Sequence, residues 1–140
     1  MTFVVDASVV FAWQFPDEST EQVESIAERL VTVGAVVPVH WCAEIGNGFA
    51  LAVRRGRMSS SYRTTALKKL FDLQIETDTE SAEAFFLRTQ DYCDRHGLTA
   101  YDAAYLELAS RRKLPLATLD KALYKAAEAE KIPLLGRVTS

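Results

Sequence analysis

The apolar positions of this chain fall into short runs, separated by longer stretches with helical spacing. "TFVV" is a compact apolar run that stops at Asp6, the form expected of a strand buried on both faces. "SVVFAW" reads as a short helix, and "PDEST" interrupts the pattern. Ser19 and Gln22 then form a capping-box pattern ahead of a helix through "EQVESIAERLVTV" to Gly34. "AVVP" is a second short buried strand. Trp41, Ile45, Phe49 and Val53 give "HWCAEIGNGFALAVRRG" helical spacing, with Gly56 as its stop. Asn47-Gly48 is a hairpin signal, but its flanks do not alternate, so the helix reading stands. Ser59 to Ser61 open the helix "YRTTALKKLFDL", and "QIET" is a weak strand. Thr77 and Glu80 repeat the capping box before the helix "SAEAFFLRTQDYCDRH", closed by Gly97. Thr99 and Asp102 form a third box at the head of "AYDAAYLELASRR". Pro115 starts a strand that ends at Asp120, "KALYKAAEAEK" is a helix, and "IPLLG" is a last strand.

Short apolar strands alternating with helices predict an α/β sandwich whose mainly parallel sheet is covered on both faces. Its 140 residues suit one domain, 1–140, with a real core. No apolar run reaches the ~20 residues of a membrane span. The N-terminus lacks a basic, then apolar, leader, so a cytoplasmic protein is expected, with no membrane partner. Cys42 and Cys93 are too far apart for a zinc motif and are expected to be reduced and packed. His40 and His96 are isolated, which argues against a His/Cys metal site or a Ser-His-Asp triad.

In open α/β sheets, ligands bind beyond the carboxyl ends of the strands. That rule picks out Asp6 and Asp120. Glu44 lies in the first turns of the helix after the second strand, and Asp102 lies in the first turn of its own helix. Each has an ordinary explanation: a turn at Asp6, a solvated Glu44, a capping box at Asp102, an N-cap at Asp120. Jointly they form a carboxylate cluster. Two like charges ~4 Å apart repel by roughly 4 kcal/mol at an effective dielectric of 20. A hard divalent cation removes that conflict, and oxygen-only ligands suit Mg²⁺ or Mn²⁺. Such a centre hydrolyses phosphodiesters. Charge distribution points the same way. From Ile45 to Phe71 the chain has no acid and carries Arg54, Arg55, Arg57, Arg63, Lys68 and Lys69, while the rest is net acidic. This window is either a solvated helix pair or a phosphate-tracking surface.

The blocks "VVDASVV", "PVHWCAEIGNGFALAVRRGRM" and "LTAYDAAYLELASRRKLPLATLDKAL" together resemble the PIN-domain ribonucleases, and among them the VapC toxins of toxin–antitoxin pairs. The resemblance runs from residue 3 to about 135. It implies a PIN-like α/β/α sandwich, metal-dependent cleavage of RNA, a small VapB-like antitoxin and a homodimer. It maps Asp6, Glu44, Asp102 and Asp120 onto the family's four acids. Ser8 and Thr118 match hydroxyl positions near the metal, and Asn47 matches a polar position beside Glu44. Gly46 and Gly48 depart from the pattern by loosening the Glu44 helix, at ~1 kcal/mol each relative to Ala. Lys121 stands where some members carry a further acid, so one metal or two is left open.

Two rivals fail on specific residues. A phosphatase with an aspartyl nucleophile needs an acid where Ser8 stands. A receiver domain needs adjacent acids after the first strand, and "DAS" supplies none. A partner-binding module, with the acids serving mainly as helix caps, is the remaining alternative. Tyr101 and Tyr105 flank Asp102, either as core aromatics or as contacts to a nucleobase. Trp13 and Phe15 are either core or a surface for the antitoxin.

Overall fold

A computed structural model describes residues 2–79 and 82–136. Among these, the strands are β1 (Val4–Val5), β2 (Ala35–Val37), β3 (Ile75–Thr77) and β4 (Leu116–Ala117). The helices are α1 (Ala7–Gln14), α2 (Glu21–Val33), α3 (Trp41–Arg54), α4 (Ser60–Phe71), α5 (Ala82–His96), α6 (Ala100–Arg112) and α7 (Lys121–Ala129). The strands pair in parallel in the order β3-β2-β1-β4. Val4 lies opposite both Val36 and Leu116. All of β1, β2 and β4 is buried, which is why these short runs are apolar without alternation.

The strand order explains where a site can form. From β1 through β2 to β3 the chain moves one way across the sheet, then crosses back to β4. With right-handed connections, α1–α4 cover one face, and α5 and α6 cover the other. The reversal opens a crevice beyond the carboxyl ends of β1 and β4, the place such sheets use for ligands. Asp6 and Asp120 follow those two strands. The chain thus forms the α/β/α sandwich expected of it.

Three local readings need correction. The N-cap of α2 is Thr20, not Ser19. Thr20 has extended backbone and accepts from Val23 N–H at 3.1 Å, while the Ser19 hydroxyl donates to Glu24 at 2.6 Å. "IPLLG" forms one isolated bridge, Leu116 to Leu134, rather than a strand. Pro133 has no N–H to extend the ladder, though its carbonyl still accepts from Leu116 N–H at 2.9 Å. Cys42 is exposed rather than packed. The box proposed at Thr77 and Glu80 cannot be followed, because Glu80 lies outside the described residues.

Two glycines of α3 behave differently. A Cβ on Gly48 would lie 2.0 Å from the Phe11 ring of α1, whereas one on Gly46 would meet nothing within 4 Å. Gly48 therefore lets α1 close onto α3, where Phe11 packs edge-on against Phe49. We expect Gly46→Ala to stabilise the protein by about 0.5–1 kcal/mol. Gly48→Ala should destabilise it by about 1–2 kcal/mol, since overpacking outweighs the gain in helix propensity. Urea unfolding of the two variants checks the opposite signs.

Candidate active site

Asp6 ends β1 and is also the N-cap of α1, because its Oδ1 accepts from Ser8 N–H at 3.0 Å and Val9 N–H at 3.4 Å. The Ser8 hydroxyl donates to the same oxygen at 2.5 Å, and the Thr118 hydroxyl donates to Oδ2. Both hydroxyls also accept from the far strand's exit. Leu119 N–H donates to Ser8 Oγ at 2.9 Å and Asp120 N–H to Thr118 Oγ1 at 3.0 Å. Ser8 and Thr118 thereby stitch the end of β1 to the end of β4. Burial raises the Asp6 carboxyl to about 6. Hydrogen bonds from Ser8, Thr118 and Val9 hold it down in part, and the charge of Asp102 adds to the rise.

Asp120 is exposed and caps α7, accepting from Leu123 N–H at 2.9 Å. Asp102 occupies the third position of α6. Its backbone N–H donates to the Thr99 hydroxyl at 3.2 Å, but no return bond from its carboxylate to Thr99 is formed among the described residues. Half of the capping box is thus present, and the Asp102 carboxylate is left for other partners. Burial raises its pKa, and the charges of Asp120 and Glu44 raise it further, against a smaller opposite effect of His40. Asp102 is the hub: its charge acts on Asp6, and the charges of Asp120 and Glu44 act on it.

Glu44 lies in the first turn of α3, half-buried. The Tyr105 hydroxyl donates to its Oε1 at 2.5 Å, and His40 Nε2 stands 3.2 Å from the same oxygen. Burial works against its charge, but the bonds from His40 and Tyr105 outweigh it and hold Glu44 below its ordinary pKa. Sequence reasoning missed both partners. The spacing of His40 four residues before Glu44 was a usable signal; nothing local pointed to Tyr105, which is buried in the core. Tyr101 is exposed instead.

Asp102 is coupled to each of the other three acids, yet among the described residues no three His, Cys, Asp or Glu side chains are gathered tightly enough to hold an ion as they stand. Like charges with nothing between them are expected to stand apart. Asn47 is exposed, one turn beyond Glu44, and makes no hydrogen bond among the described residues. Within the basic window, Arg54 is ten residues along α3 from Glu44, roughly 15 Å. Arg57 is already engaged by Asp17 and Glu18, at 3.2 and 2.9 Å, and lies over the Phe15 ring. Phe15 is buried and belongs to the core, whereas Trp13 is only partly buried.

The PIN domain family matches residues 3–129. The chain belongs to the PIN domain family. This PIN domain is 34% identical to Ribonuclease VapC3 of Pyrobaculum aerophilum, over 96% of its own length and 98% of the relative's. Its fold is that of FitAcB from Neisseria gonorrhoeae, with a TM-score of 0.67 at 19% identity, covering 96% of this chain and 97% of that one. It is also that of VapBC2 from Rickettsia felis, solved bound to a DNA fragment from their promoter. There the TM-score is 0.64 at 13% identity, with 96% and 97% covered. No helix among the described residues is long and apolar enough to cross a membrane.

Proposed function

We propose that this PIN domain is a Mg²⁺- or Mn²⁺-dependent endoribonuclease, the toxin of a VapBC-type pair acting in the cytoplasm. The observation that carries the reading is the acid hub. Asp102 interacts with Asp6, Glu44 and Asp120 at the sheet's reversal point, in a chain similar along its length to a named ribonuclease. The donor set fits a hard cation, because every candidate ligand is a carboxylate oxygen.

In this reading Asp6, Glu44, Asp102 and Asp120 hold the ion. Ser8 and Thr118 orient Asp6, and Asn47 stands ready to meet the substrate from α3. The bound cation supplies an activated water and neutralises charge on the scissile phosphate. Arg54, Arg55, Arg63, Lys68 and Lys69 guide the outlying RNA phosphates, while Arg57 mainly braces the α1–α2 turn. A small VapB-like antitoxin restrains the site, and the chain acts as a homodimer.

The test joins chemistry to physiology. Purified protein should cut RNA in Mn²⁺ and not in EDTA. Inducing the chain alone should arrest growth, and co-inducing a neighbouring small gene should restore it. RNA left intact in Mn²⁺ would remove the nuclease reading, and unimpaired growth despite cleavage would remove the toxin reading.

A further inference from the structure

Tyr105 is 1% exposed, and its hydroxyl reaches from α6 to α3 to donate to Glu44 Oε1 at 2.5 Å. His40 Nε2 faces that same oxygen at 3.2 Å and the Tyr101 carbonyl oxygen at 3.1 Å. A ring nitrogen between two acceptors must carry a hydrogen, so His40 is a second donor. The His40 ring is itself packed edge-on against Tyr105, with centroids 5.2 Å apart, and tilted against Tyr101 at 5.6 Å. Both donors take Oε1. Among the described residues none takes Oε2.

A glutamate at a helix surface ordinarily samples many rotamers, and ordering it costs conformational entropy. Here that ordering is done before any ligand arrives. The two contacts select one oxygen as anchor and leave the other free. We propose that Tyr105 is a positioning residue which, with His40, fixes Glu44 so that it offers a single oxygen, Oε2, to the cation shared with Asp102. The inference rests on the metal-dependent reading above. Its rival is that the Tyr105 hydroxyl merely satisfies its own hydrogen-bonding need in the core.

Tyr105→Phe removes one oxygen and keeps the ring. Mn²⁺ binding to the metal-free protein, followed by the loss of the free-ion EPR signal, is compared in four proteins: parent, Tyr105→Phe, Glu44→Ala and the double variant. Tyr105→Phe should weaken Mn²⁺ binding on the order of tenfold, as loss of a ligand's supporting partner does. Glu44→Ala should weaken it more. In the double variant, losing the hydroxyl should add nothing, because the group it acts through is gone. In cleavage, Tyr105→Phe should raise the half-saturating Mn²⁺ concentration with little change in the plateau rate.

Unchanged Mn²⁺ binding in Tyr105→Phe, or additive losses in the double variant, would overturn the inference. A parent that binds no Mn²⁺ overturns the metal reading and this inference with it. If Tyr105→Phe loses its cooperative melt, His40→Ala replaces it in the cycle, since its side chain is 17% exposed rather than deep in the core. The same non-additivity with Glu44→Ala is then required, and additivity overturns the inference.

Discussion

Asp102→Asn is expected to abolish RNA cleavage while leaving the fold intact. The loss should exceed the ~100-fold typical of removing a metal ligand's outer partner, because the hub charge itself disappears. The fold should survive for a local reason. Asp102 contributes its backbone N–H, not its carboxylate, to the Thr99 cap, and asparagine keeps that group. Removing the charge also relieves repulsion with Asp120 and Glu44, whose fields raise the Asp102 pKa. In EDTA the variant should therefore melt at or slightly above the parent's temperature. In Mn²⁺ only the parent should gain stability. Cleavage at the parent rate by a well-folded Asp102→Asn protein would remove Asp102 from the site.

The second large effect is on stability, and its sign depends on pH. In the folded, metal-free protein Asp6 keeps its proton up to about pH 6, against 3.8 for an ordinary aspartate. Between those values the folded state binds the extra proton, so the group's contribution is fully present below pH 3.8 and is lost as pH rises through 6. At 1.36 kcal/mol per unit, the cost above pH 7 is roughly 3 kcal/mol. Asp6→Asn escapes this cost. Its amide, however, turns a donor toward Thr118, whose oxygen already accepts from Asp120 N–H, so the gain should be about 1–3 kcal/mol. Thermal melts in EDTA should show the variant several degrees more stable than the parent at pH 8. The difference should fade toward pH 4. With Mn²⁺ at pH 8 the order should reverse, since only the ionised carboxylate of the parent binds the cation. Equal melting curves at pH 8 in EDTA would mean that Asp6 is ionised without penalty.

The fold was largely legible because its signals are local. Uninterrupted apolar runs marked β1, β2 and β4, and Gly34, Gly56 and Gly97 marked helix ends. The rule that strands of a parallel sheet finish on one edge puts Asp6 and Asp120 at the same edge from sequence alone. The site's supporting contacts were less legible, because they join residues far apart in sequence. Tyr105 meets Glu44 across 61 positions, and Thr118 meets Asp6 across 112. Composition also says nothing of pairing: within the basic window Arg57 is held by Asp17 and Glu18. Gly48 looked like a weakness of α3, and only the position of the Phe11 ring shows its use.

The stitch between Ser8, Thr118 and the two strand ends bears on the order of synthesis. Asp6 is made 112 residues before its partner Thr118, and Ser8 111 residues before its partner Leu119. β1 has a neighbour on only one side until Leu116 and Ala117 arrive to pair with Val4 and Val5. A nascent chain thus carries three of the four acids but lacks the strand that completes their cradle. Whatever chemistry the cradle performs begins only once Leu116 and Ala117 have been made and have paired with β1, so synthesis itself delays competence.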